Sequence, residues 1–105
     1  MRISAKERAD FVAVLQPVVP LESELILYGS RVDDQALGGD IDLVLVVSDT
    51  QAKEHLEKQR LALLVKWKAR IGDQRIDFSV ITRDQAQNEP FWRQSLQKAV
   101  VLARF

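Results

Sequence analysis

Leu25-Ile26-Leu27-Tyr28-Gly29-Ser30 and, after a spacer from Arg31 to Gly39, Asp40-Ile41-Asp42-Leu43-Val44-Leu45-Val46-Val47 carry the pattern from which the fold can be read. Each is an apolar run of strand length, and a Gly-Ser turn closes the first. The second is apolar at every position from Leu43 to Val47, the signature of a strand buried on both faces. Side chains alternate across a strand, so Asp40 and Asp42 are expected on one face. At a rise of about 3.3 Å per residue their Cα atoms lie roughly 6.6 Å apart.

Working outward, Ser4 caps a helix over about 4–16 whose stripe is Phe11, Val14 and Leu15. Pro17 and Pro20 end it. Arg31–Gly39 is polar and closes on Gly38-Gly39, an exposed loop. Asp49 or Thr50 caps the next helix, about 51–70, with Leu56, Leu63, Leu64 and Trp67 toward the sheet and a stop at Gly72. Arg75–Ile81 alternates as a third strand, with Ile76, Phe78 and Val80 on one face and Arg75, Asp77 and Ser79 on the other. Thr82 with Gln85 is a capping box for a short helix, and Pro90 opens a last helix of about 90–103. The expected fold is α/β: a small sandwich in the order α-β-β-α-β-α, with a mixed sheet of three to four strands flanked by helices. The long helix before the third strand permits either parallel or antiparallel pairing there. Val100-Val101-Leu102 and Phe105 either close the core or form a partner surface.

Two acids entering a buried strand are unfavourable unless a cation compensates them or they sit at its solvent-facing end. If the third strand lies beside the second, Asp77 joins Asp40 and Asp42 in a three-carboxylate cluster. Mg²⁺ takes oxygen ligands and keeps several waters, so one or two carboxylates plus phosphate oxygens suffice. Three acids support two ions about 3.5–4 Å apart and an in-line displacement at phosphorus. Gly29 permits close backbone approach, Ser30 adds a hydroxyl, and a helix starting at Ser30 would favour an anion. Arg31 is the nearest cation for a phosphate oxygen. Singly these are a turn, a cap and surface acids; jointly they describe a site for a metal-bound triphosphate.

These residues resemble the nucleotidyltransferases of the DNA polymerase β superfamily, whose pattern is Gly-Ser, a spacer, Asp-hydrophobic-Asp, and a third carboxylate on a later strand. Leu27-Tyr28-Gly29-Ser30-Arg31 with Gly39-Asp40-Ile41-Asp42-Leu43 is most similar to the minimal nucleotidyltransferase (MNT) subgroup. Many of its members are antitoxins encoded beside a helical HEPN-domain toxin, the second protein being described in some pairs as a substrate-binding subunit. The resemblance implies a polymerase β-like fold. It implies Gly29 and Ser30 on the β- and γ-phosphates, Asp40 and Asp42 on two Mg²⁺ ions, and Asp77 on the catalytic ion and the acceptor hydroxyl. It implies transfer of a nucleoside monophosphate, AMP from ATP before other nucleoside triphosphates, to a hydroxyl on the toxin. The chain departs from many relatives at Val32, Asp34 and Gly39, none of them a ligand position.

Composition narrows the partners. A chain of 105 residues is expected to be one domain, 1–105. Fifteen basic and fifteen acidic side chains cancel, so the footprint of a nucleic-acid binder is missing. With no cysteine, disulfides and thiolate zinc sites are excluded. An apolar stretch such as Leu43–Val47, which no other uninterrupted run exceeds in length, is far too short to span a membrane, which sets a cytoplasmic expectation. An acceptor surface is expected from a partner or a second copy, as a homo- or hetero-oligomer. Two other readings stay open: a non-catalytic antitoxin or nucleotide-binding subunit, and transfer to a small molecule or an RNA end. His55, the one histidine, and the cations Lys53, Lys58, Arg60, Lys66, Lys68 and Arg70 read as solvated, with Lys66 or Arg70 able to reach a phosphate or an acidic partner.

Overall fold

Ser4 opens the first helix as a capping box: its hydroxyl accepts from Glu7 N–H at 3.0 Å and Glu7 Oε1 accepts from Ser4 N–H at 3.0 Å. Helix α1, Ala5–Leu15, follows and buries Phe11, Val14 and Leu15. The structure is a computed structural model and describes residues 1–35 and 39–105. After α1 come strand β1 (Glu24–Tyr28), a 3₁₀ turn (Gly29–Val32), strand β2 (Ile41–Val47), helices α2 (Thr50–Lys58) and α3 (Arg60–Ile71), strand β3 (Ile76–Thr82), helices α4 (Arg83–Asn88) and α5 (Pro90–Ser95), and strand β4 (Val100–Arg104). Residues 36–38 of the expected loop 31–39 lie outside the described residues.

The sheet is mixed, in the order β3-β2-β1-β4. β1 pairs antiparallel with β2 and β4, and β2 pairs parallel with β3. The parallel pair needs a crossover, which α2 and α3 provide. Alternation sorts the apolar runs onto two faces. Leu25, Leu27, Ile41, Leu43, Leu45, Val47, Phe78 and Val80 meet α1, α2 and α3 in the larger core. Ile26, Val44, Val46 and Ile81 meet Trp92 of α5 and Ala86 of α4 on the other face. Trp67, fully buried, stands edge-on between Phe11 (5.5 Å, 82°) and Phe78 (4.9 Å, 86°) and donates from Nε1 to the Phe11 carbonyl at 3.2 Å. Edge-to-face pairs of this kind add about 0.5–1.5 kcal/mol beyond the area they bury.

Two expected elements differ. The helix expected over 51–70 is two helices, parted at Gln59, whose backbone (φ −98°, ψ −1°) sits at the margin of the right-handed helical region. Gln59 is no breaker. The break instead coincides with a tertiary anchor, Arg60 Nε donating to the Phe78 carbonyl of β3 at 2.7 Å. The helix expected over 90–103 ends at Ser95, and Val100–Arg104 is the fourth strand. Val100 and Val101 are β-branched and suit a strand, and the free edge of β1 supplies the ladder. Leu102 is passed over where the β1–β4 register shifts between Ile26↔Val101 and Leu25↔Ala103, and it points into the larger core. The C-terminal apolar residues therefore close the core. Among the described residues no helix is long and apolar enough to cross a membrane.

Candidate functional site

The site grows from the register of three strands. Tyr28 is opposite Asp42 on β1–β2, and Asp42 is opposite Asp77 on β2–β3. Adjacent strands lie about 4.8 Å apart, so the three side chains form a row across the sheet. The row occupies the face that α4 and α5 cover, two residues beyond Val44, at the end where the apolar cluster stops. Asp42 and Tyr28 are half-buried and Asp77 is exposed. Asp40 lies one residue before β2 begins, with its side chain 47% exposed and an oxygen 3.8 Å from Arg75 Nε. Of the three predicted carboxylates, Asp42 and Asp77 are thus paired in register, and Asp40 stands at the strand entrance turned toward a cation.

Electrostatics register the crowding. Partial burial, then Asp77, then Asp40 push the Asp42 carboxyl above the usual aspartate range. Each cause disfavours the charged form. Burial, then the Asp42 and Asp77 charges, push the Tyr28 phenol up to about 12, and Ser79 on the same face offsets part of this. Tyr28 also rests edge-on against Trp92, ring centroids 5.4 Å apart, which fixes the wall of the site on α5.

Glycines set how closely the turn approaches. Gly29 has φ +75°, and a Cβ there would overlap Asp42 Oδ2 and lie 3.1 Å from Asp42 Cγ. Gly39 has φ +95°, and a Cβ there would overlap Ser30 Oγ and lie 3.2 Å from Ser30 Cβ. Gly29 is therefore required over Asp42, and Gly39 over Ser30. Ser30 lies within a 3₁₀ turn of four residues, Gly29–Val32, rather than at the start of an α-helix.

Arg31, expected near a phosphate, is engaged elsewhere. Its Nε donates to the Gly39 carbonyl at 3.2 Å, Nη1 to the Arg2 carbonyl at 3.0 Å and Nη2 to Gln74 Oε1 at 3.2 Å. Gln74 Nε2 in turn donates to Glu7 Oε2 at 2.7 Å. Arg2 Nη2 reaches the Ser30 carbonyl at 2.9 Å and Nε the Asp33 carbonyl at 3.0 Å. Two guanidinium groups thus fasten the turn to the start of α1. Asp33 accepts from Gln35 N–H at 2.8 Å and Asp34 pairs with the Met1 amine. Lys66 and Arg70 lie on α3, on the opposite face of the sheet, and Arg70 pairs with Asp10 at 3.2 Å. His55 is exposed.

Three residues the sequence did not assign to the site belong to its surroundings: Tyr28, Ser79 and Arg75. The period-2 pattern of β3 already placed Arg75 and Ser79 with Asp77; nothing in it showed that β1 would bring Tyr28 opposite Asp42.

All-oxygen donors suit a hard divalent cation, and one would offset the burial and the neighbouring carboxylates that lift Asp42. Among the described residues no three Asp, Glu, His or Cys side chains converge as a closed metal-binding group. The donor set fits an ion held by the Asp42–Asp77 pair and completed by water or phosphate oxygens. An apolar groove of about 530 Å³ along the start of α1, lined by Met1, Ile3, Ala5, Arg8 and Val12 among others, includes none of the three carboxylates. Comparison with models of known protein families gave no match, and comparison with curated proteins gave none either.

Proposed function

We propose that this chain is a metal-dependent nucleotidyltransferase that moves a nucleoside monophosphate, AMP from ATP, to a hydroxyl on a protein partner. The observation that carries the reading is the register row: Asp42 opposite Asp77, beneath a glycine turn that tolerates no Cβ, with Asp40 at the strand entrance. The resemblance to the MNT subgroup supplies the reaction, a HEPN-type helical protein encoded nearby as acceptor, and a cytoplasmic setting.

In this reading Asp42 and Asp77 would hold Mg²⁺, and Asp40, on leaving Arg75, would add a ligand. The ion, when bound, neutralises charge on the phosphates and lowers the pKa of a coordinated hydroxyl. Gly29 and Ser30 lie against the β- and γ-phosphates. Asp77, the exposed member of the row, accepts the proton of the acceptor hydroxyl. The hydroxyl oxygen bonds to the α-phosphorus, the bond to the bridging oxygen breaks, and pyrophosphate leaves with that electron pair. The protein's share is positioning and charge stabilisation.

The test is transfer of label from ATP labelled on the α-phosphate to the product of the neighbouring gene, with Mg²⁺, comparing wild type with Asp42→Asn. Label that appears with wild type and is lost in the variant is expected. A second reading, a binding domain without chemistry, draws on the orientation of Asp40 toward Arg75. It predicts that partner inhibition survives Asp42→Asn and that no label is transferred by either protein.

A further inference from the structure

We propose that Arg75 is a switchable counter-ion: it holds Asp40 while the metal is absent and turns to the polyphosphate of the substrate when the metal takes Asp40. The inference rests on the nucleotidyltransferase reading and names the residue that binds the phosphates, a part first expected of Arg31. Arg31 cannot serve without loosening the turn, because its guanidinium donates to Gly39, Arg2 and Gln74. Arg75 is differently placed. It lies one residue before β3, on the face of Asp77 by alternation, and its carbonyl accepts from Ile41 N–H at 2.9 Å, which fixes its backbone beside the start of β2. Its side chain is 87% exposed, and its pairing with Asp40 is a loose one at 3.8 Å.

An exposed pair at that distance is weak and easily exchanged. A divalent ion outcompetes a guanidinium for Asp40 because it carries twice the charge and binds oxygen directly. The released guanidinium then presents a planar fork of N–H donors beside the metal, a geometry that matches phosphate oxygens bidentately. One side chain thus satisfies Asp40 in the empty site and contacts the triphosphate in the filled one.

The experiment measures two affinities by titration calorimetry on wild type, Arg75→Ala, Arg75→Lys and Asp42→Asn: Mn²⁺ alone, and ATP in the presence of Mg²⁺. Removing a competing cation should tighten Mn²⁺ binding to Arg75→Ala about two- to fivefold, the size of an exposed ion pair. Removing a charged phosphate donor should weaken ATP binding about tenfold or more, with Arg75→Lys between. Opposite shifts of the two affinities support the switch. Unchanged ATP affinity in Arg75→Ala, with wild type binding ATP and Asp42→Asn not, overturns the role of Arg75 and leaves the proposed function standing. Failure of wild type itself to bind ATP overturns both. At 87% exposure the substitution leaves folding intact, which a melting curve checks.

Discussion

Replacing Gly29 by alanine tests the geometry of the site without any ligand. Two separate penalties meet there. The backbone at φ +75° is left-handed, where an L-residue costs about 1–2 kcal/mol. The new methyl would also overlap Asp42 Oδ2, so Asp42 must leave its rotamer, for about 0.5–1.5 kcal/mol more. The expected loss is about 2–3 kcal/mol, which in a domain near 100 residues lowers the melting temperature by roughly 10–20 °C. Thermal and urea unfolding followed by circular dichroism read this directly. The steric part can be isolated: in an Asp42→Ala background the clashing carboxyl is gone, and Gly29→Ala should cost about 1 kcal/mol less than in wild type, a coupling measured by the double-mutant cycle. Gly72→Ala is the comparison, since φ is +89° there and a Cβ would meet no atom within 4 Å. It should lose stability through the backbone alone, with no coupling to Asp42. A Gly29→Ala protein within about 0.5 kcal/mol of wild type, or a cost unchanged by Asp42→Ala, would refute the placement of the turn over the carboxylate.

Other substitutions probe the charge row and the core. Because the folded state raises the Asp42 carboxyl above its unfolded value, ionising it opposes folding, and stability falls as pH rises through that range. Asp42→Asn should therefore melt higher than wild type at neutral pH in the presence of a chelator, with the gain shrinking below the ordinary carboxylate range; a gain that grew toward acid pH would contradict the assignment. Trp67→Ala removes the ring between Phe11 and Phe78 and its bond to the Phe11 carbonyl. It should destabilise by about 3–5 kcal/mol in urea unfolding. Thr82→Ala breaks the capping box in which Thr82 Oγ1 accepts from Gln85 N–H at 3.1 Å. It should reduce stability by about 1 kcal/mol and leave Asp42→Asn effects additive.

What was local in character was legible in the sequence. The caps at Ser4, Asp49 and Thr82 form within three residues of their partners, so the residue types suffice to locate Ser4 and Thr82 and to narrow the other to Asp49 or Thr50. The apolar runs of β1 and β2 and the alternation of β3 announce strands because burial imposes their period. The motif Gly29-Ser30 with Asp40-Ile41-Asp42 likewise showed which residues to compare, and alternation put Arg75 and Ser79 with Asp77. The break at Gln59 and the strand at Val100–Arg104 were not legible: the first answers to an anchor 18 residues away, the second to a free edge on β1. The division of labour among the charged groups was equally hidden. Arg31 follows the motif directly, yet Gln74, Arg2 and Gly39 claim its donors, while Arg75 stays exposed. Periodicity and capping report a residue's own neighbourhood along the chain, and those the sequence determined. Which strand lies beside β2, which acids crowd Asp42, and which arginine faces them are decided by contacts between distant segments, and only the tertiary structure brings those together.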